Sequence, residues 1–172
     1  MGDLSKILGD NGPGWEVTAL GQLWTLGGAT QRVKAKFENW LERTARERLD
    51  LQYEIDLEEA EDDESKKEAR ERYAKELEAF RDRRDAGAYG WQKDVFRMAM
   101  RRGDGIERLL FYLLQKHHPT VTLDDVKRIG EDDSAVVRIG EIMSEIVDDA
   151  PNSSKPEKTP ANSEEIGTSA RP

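Results

Sequence analysis

Between Leu109 and Leu114 the chain reads LLFYLL, a stretch with no polar position on any side of a helix. A helix without a wet face has to be enclosed by other elements, so this segment predicts the central helix of a small domain. Asp104 and Glu107 have the N-cap and N3 spacing of a capping box, which predicts a start at Asp104. Pro119 cannot donate to a helical ladder and pushes His118 toward extended geometry, which predicts an end near His117 or His118. Thr122 then has the spacing to cap a second helix, with Asp124 and Asp125 favourably placed in its first turn and Val126 and Ile129 as its apolar face.

The elements around this core follow from local patterns. In EVTALGQLWTL the runs Glu16–Leu20 and Leu23–Leu26 flank Gly21-Gln22, and glycine at the first loop position predicts a hairpin with a type II′ turn. That register pairs Ala19 with Trp24 and Val17 with Leu26, and places all four on one apolar face. Thr30 is the candidate cap of the next helix, whose Val33, Phe37, Trp40, Leu41 and Thr44 recur at helical spacing and supply a cover for the hairpin. Leu49 to Leu57 alternates as a strand would, but its neighbours are strong helix formers. The reading there is helix, with a possible break between Arg48 and Glu54.

Glu58 to Asp85 is dense in mixed charge, with Ala69, Tyr73, Leu77 and Phe80 as a narrow apolar stripe and Glu61–Ser65 as the break between two helices. A further helix is expected from about Trp91 to Arg101, with Val95, Phe96, Ala99 and Met100 turned inward. A last one is expected from about Ser134 to Val147, with Val136, Ile139, Met143, Ile146 and Val147 on its apolar side. From Pro151 the residues are Pro, Ser, Asn, Thr, Glu and Lys, with Ile166 as the lone large apolar side chain, a composition that does not offset its ordering entropy. The expected organisation is a flexible N-terminus (1–14), a single mainly α domain (15–149) with a hairpin near 16–26, and a disordered tail (150–172).

The sequence AYGWQKDVFRMAMRRGDG from Ala88 to Gly105, followed by the apolar helix, the His118-Pro119 turn, Thr122 and its acidic neighbours, resembles the tail assembly chaperones of long-tailed bacteriophages. The resemblance extends back through FENWLERTARERL, Phe37 to Leu49, and covers Val17 to Val147 in outline. It implies a non-enzymatic protein of the host bacterial cytoplasm that binds the phage tape-measure protein, keeps its long apolar helices soluble and helps tail-tube subunits assemble. The alternative is a structural or adaptor subunit of the particle, a head or tail completion protein, which would use the exposed strand edges of the hairpin for subunit addition.

Composition and chemistry are compatible with either. A net charge of -9 disfavours non-specific binding to nucleic acid or to an anionic membrane. The opening MGDLSKILGDNGPG holds no apolar run long enough for a signal peptide. With no cysteine there is no thiolate ligand or thiol nucleophile. The two histidines are adjacent, so they point roughly 100° apart and do not form the i, i+4 pair that zinc finds on one helix face. Gly27-Gly28-Ala29-Thr30 before a helix has the outline of a phosphate loop without a Walker lysine, and reads more simply as a strand-to-helix turn. No catalytic, cofactor or metal residue is expected. The residues expected to bind a partner are aromatic ones outside the central helix: Trp40, Tyr89 and Trp91.

Overall fold

The computed structural model describes residues 14–148, so the expectations for residues 1–13 and for the tail from 149 onward lie outside the described residues. The chain is mainly helical with an N-terminal hairpin: β1 (Trp15–Ala19), β2 (Gln22–Leu26), α1 (Gln31–Glu59), α2 (Asp63–Asp85), α3 (Asp94–Met100), α4 (Gly103–Leu114), α5 (Leu123–Gly130) and α6 (Asp133–Asp148).

The apolar run becomes α4, and Leu109, Leu110, Leu113 and Leu114 are almost wholly removed from water. Phe111 and Tyr112 stay partly exposed, so the helix is enclosed on three sides. It packs on α1, α3, α5 and β2. Both of its ends differ from the sequence reading. No side-chain cap starts it: Arg102 is the N-cap residue and Asp104 lies inside the first turn, where its carboxylate pairs with Arg48 at 3.3 Å. The reason is the tight corner after α3, in which a Cβ on Gly105 would stand 2.2 Å from the Ala99 carbonyl oxygen, so α4 begins directly against its neighbour. At the other end the helix stops at Leu114 because the Leu113 carbonyl accepts from Gly27 N at 2.8 Å, leaving His117 N to turn back to Leu114 O.

The hairpin keeps the expected inward face but not the expected register. Val17 pairs with Trp24 and Ala19 with Gln22, so the loop is Leu20-Gly21, two residues away from the register expected. Both loop residues have positive φ (54° and 74°), the signature of a type I′ turn. Leucine in the left-handed region costs about 1–2 kcal/mol. Asp132 offsets it, since its Oδ2 accepts from Leu20 N at 2.6 Å. Because the strand period is two, the shift leaves Val17, Ala19, Trp24 and Leu26 all buried.

Both outer edges of the hairpin are covered. On β1 the Thr18 carbonyl accepts from Ser134 Oγ. On β2, Thr25 N donates to His118 Nε2 at 3.0 Å, and the His118 ring sits 5.0 Å from that of Trp24. That nitrogen accepts, so the tautomer carries its proton on Nδ1.

Thr30 caps α1 as expected, accepting from Val33 N. The core residues Val33, Phe37, Trp40 and Leu41 all lie in the first half of α1; the helix then runs unbroken past Arg48 to Glu59 and leaves the core as an arm. α2 returns alongside it after Asp62, which caps Ser65 at the expected break. The arm is held by Tyr53 stacked on Tyr73 at 4.3 Å and by a polar knot. Tyr73 Oη donates to Asp50, while Arg46 donates to both Asp50 and Tyr73. These bonds hold the Asp50 carboxyl below the usual range, chiefly through Arg46, and push the Tyr73 hydroxyl up, chiefly through Asp50. Stacking explains the missing break near Arg48, because it rewards a continuous helix through Tyr53.

α3 starts at Asp94 and not Trp91, because Gln92 takes a positive φ of 63° that no helix accommodates. Thr122 and Asp125 form the full capping box of α5. On α6 the buried side is Ala135, Ile139, Ile142, Met143 and Ile146; Val136, expected inside, is 48 % exposed because the inward stripe begins one residue earlier. The side chain of Val147 lies outside the described residues.

Two outcomes test this placement of the core. Leu110→Asp puts a carboxylate into a site without a partner and unfolds the domain, whereas Glu68→Ala on the exposed face of α2 shifts stability by under about 0.5 kcal/mol. Circular-dichroism melts of the two variants distinguish them, and equal effects contradict the core described. The second concerns Asp132, whose carboxyl is held below its ordinary value first by Leu20 N and then by Ser134. A depressed folded value means that its stabilisation is present above the ordinary aspartate range and lost as pH falls through the folded value. Asp132→Ala therefore lowers the urea midpoint at neutral pH, and its gap to the parent closes as the pH falls below the ordinary aspartate range. A gap independent of pH rules out the carboxylate as the cause.

Candidate partner-binding groove

Where the arm leaves the core, α1, α3 and the end of α2 diverge around a shallow groove of about 230 Å³. Its floor is apolar. Trp40, Leu41 and Ala45 come from α1, Tyr89 from the loop after α2, and Val95 and Ala99 from α3. They line one groove because the inward stripe of α1 turns outward as the helix leaves the core, and the short α3 covers only part of it. Met98 forms an edge and is 54 % exposed. Arg48, Arg83 and Arg102 form a basic rim, with Asp104 as the single acid, already paired with Arg48.

The sequence-derived residues divide here. Trp40 and Tyr89 meet in this groove, each only 7 % exposed, so they are part of the core as well as of its lining. Trp40 packs on Phe37 at 5.2 Å and carries the Arg108 guanidinium over its ring at 5.6 Å. Tyr89 packs on Phe80 at 5.6 Å, and burial pushes its hydroxyl above the usual range. Trp91 lies outside the groove. It packs on Phe96 and Phe37, under Lys34, and its backbone N donates to Glu38. Met98 is the residue that sequence reasoning missed. Its signal was phase: with Phe96 and Ala99 turned inward, Met98 falls on the opposite side of a short helix, next to Arg97 and Arg101.

The Gly27-Gly28 turn is flanked by two wider clefts of about 720 and 690 Å³, lined among others by Arg32, Lys36, Lys116 and Arg138. Lys36 donates to Gln115 at 2.9 Å and lies over Tyr112, and Arg138 donates to Glu141 at 2.8 Å. Glycine at residue 27 fits the turn for another reason: a Cβ there would meet the Lys116 side chain at 3.0 Å, closer than an ordinary contact. Among the described residues no group of three or more His, Cys, Asp or Glu could hold a metal ion.

No protein-family model, curated protein or solved structure matches the chain. Among the described residues no helix is long and apolar enough to cross a membrane.

The groove divides into floor and rim energetically. Trp40→Ala costs about 3–5 kcal/mol, as removal of a buried tryptophan does. Met98→Ala and Arg102→Ala each cost under about 0.5 kcal/mol, because both side chains stand in solvent. Urea unfolding of the three variants checks the division, and a large loss from either rim substitution contradicts it.

Proposed function

We propose that the chain is a non-enzymatic phage tail assembly chaperone, acting in the host bacterial cytoplasm, that holds apolar helices of the tape-measure protein in the Trp40–Tyr89 groove and assists tail-tube assembly. The observation that carries this reading is an apolar floor with an exposed methionine on its edge, in a chain whose remaining surface is densely charged. Unbranched, polarizable Met98 adapts to varied apolar side chains, as a holder of a long and irregular helical partner requires. Leu51 and Ile55, exposed one turn apart on α1, add an apolar strip on the arm. The surrounding charge keeps the loaded complex soluble.

The alternative of a particle subunit joined by strand addition finds less support. An edge recruits another strand when its polar groups are unpaired, and here Ser134 and Asp132 engage β1 and its turn while His118 engages β2.

Binding rests on apolar burial, so a complex with a long helical tape-measure-like protein co-purifies and survives about 1 M salt, where screening falls to about 3 Å. Met98→Asp abolishes co-purification without changing the melting temperature. A complex that dissolves between about 0.1 and 0.5 M salt places binding on the charged faces of residues 58–85 and overturns the mechanism. Mass spectrometry of purified particles separates the two functions, since a chaperone is missing from them and a subunit is present.

A further inference from the structure

Past Ala45 the inner side of α1 lies on α2 through Tyr53, and the opposite side stands in solvent. Along that outer side Arg48, Leu51, Ile55 and Glu58 follow one another at spacings of three, four and three residues. This is the a and d spacing of a coiled-coil seam, with Tyr53 at f on the far side of the helix. Leu51 is 56 % exposed and Ile55 38 %, so two large aliphatic side chains lie in water one turn apart. The seam is its own complement. Both Leu51 with Ile55 and Arg48 with Glu58 are centred on residue 53, so a two-fold axis beside Tyr53 lays each member on the other in a second copy. We propose that two copies of this chain pair antiparallel along the seam, with Leu51 of each on Ile55 of the other and an Arg48–Glu58 ion pair closing either end.

Charge fixes the direction. A parallel pair sets Arg48 against Arg48 and Glu58 against Glu58, whereas the antiparallel pair joins opposite charges at both ends. Glu58 has no ion-pair partner among the described residues. Arg48 holds Asp104 at 3.3 Å with both side chains about half exposed, a contact worth little, so a change of partner costs little. The complementarity continues past the seam. Glu59, Glu61, Asp62, Asp63 and Glu64 make the tip of the arm acidic, while Arg48 and Arg102 stand on the rim of the groove at its base. Within one copy about 20 Å of helix keeps tip and rim apart, and the antiparallel register brings the tip of each copy to the rim of the other. Length fits as well: α1 ends at Glu59, opposite residue 47, so the second helix stops where Met98 and Asp104 rise beside the arm. One feature opposes pairing, since the two Glu54 carboxylates flank the axis and repel. The seam is short, so the association is weak and depends on concentration. A second copy presents the reversed order of this seam by symmetry alone, which an unrelated helix does not.

Sedimentation of the full chain tests the pairing. The expected outcome is monomer at about 1 µM and dimer at about 100 µM, with Leu51→Asp monomeric at both and unchanged in its circular-dichroism melt, because Leu51 stands in solvent. Glu54→Gln tightens the dimer. Arg48→Glu and Glu58→Arg each raise the half-association concentration about tenfold, and the two variants mixed in equal amounts recover the parent value, because every repulsive contact of the two homodimers becomes attractive between them. The chain has no cysteine, so one introduced thiol reports the register. Gln52→Cys lies beside the axis and links to its own copy under mild oxidation, whereas Glu59→Cys, exposed on the same helix, stays far from its copy and unlinked. A chain that is monomeric at 100 µM, a dimer indifferent to Leu51→Asp, a mixture that associates no more tightly than its components, or linkage at residue 59 as fast as at residue 52 overturns the proposal. The pairing rests on the arm and not on the partner reading, and no partner protein is present in these measurements, so its failure leaves that reading standing.

Discussion

Burial of the four leucines of α4 is the interaction on which the other elements depend. Leu109 and Leu113 lie one turn apart on one side, Leu110 and Leu114 on the other, so the helix presents two adjoining apolar faces. Full burial of each is worth about 1.5–3 kcal/mol, and together they exceed any polar contact in the domain. The two faces need walls, and α1, α3, α5 and β2 supply them. α6 joins at second hand, through β1 and α5. α2 is further out still, reaching the buried cluster through Phe80 and otherwise lying on α1.

This hierarchy explains why one chain carries two kinds of surface. Near α4 the side chains are packed and the hairpin's polar edges are paired to groups from distant parts of the chain. Past Ala45 the arm is held by a stacked tyrosine pair and a knot of Arg46, Asp50 and Tyr73, with ion pairs that are mostly exposed and individually worth little. The groove lies at the boundary between the two regimes. It exists because α1 is longer than the core it covers, so its apolar stripe runs out from under α3 before it ends.

Much of this was legible in the sequence, and the parts that were not share a cause. Thr30 and Thr122 cap their helices because capping is a matter of four consecutive residues. The hairpin's inward face was legible for the same reason: alternation is local. Its register was not, because the left-handed Leu20 is held by Asp132, and nothing in EVTALGQLWTL announces a carboxylate from the turn before α6, far along the chain. The end of α4 was likewise set by Gly27, and the start of α3 by a left-handed Gln92. For the groove, residue type pointed to Trp40 and Tyr89, yet their meeting place with Met98 depends on how three helices diverge. Trp91 has the same chemistry and a different fate, because its neighbours are Phe37 and Phe96.

The closure of the hairpin by distant residues has a consequence for synthesis. A two-stranded hairpin is marginal alone, and the groups that finish this one, His118 on one edge and Asp132 and Ser134 on the other, are among the last of the domain to leave the ribosome. The first strands made are thus completed late, so the domain closes as a unit only when α6 has emerged. Until then the inner face of the hairpin and the head of α1 are open apolar surface, and the highly charged arm made directly after them keeps the nascent chain from adhering to its neighbours.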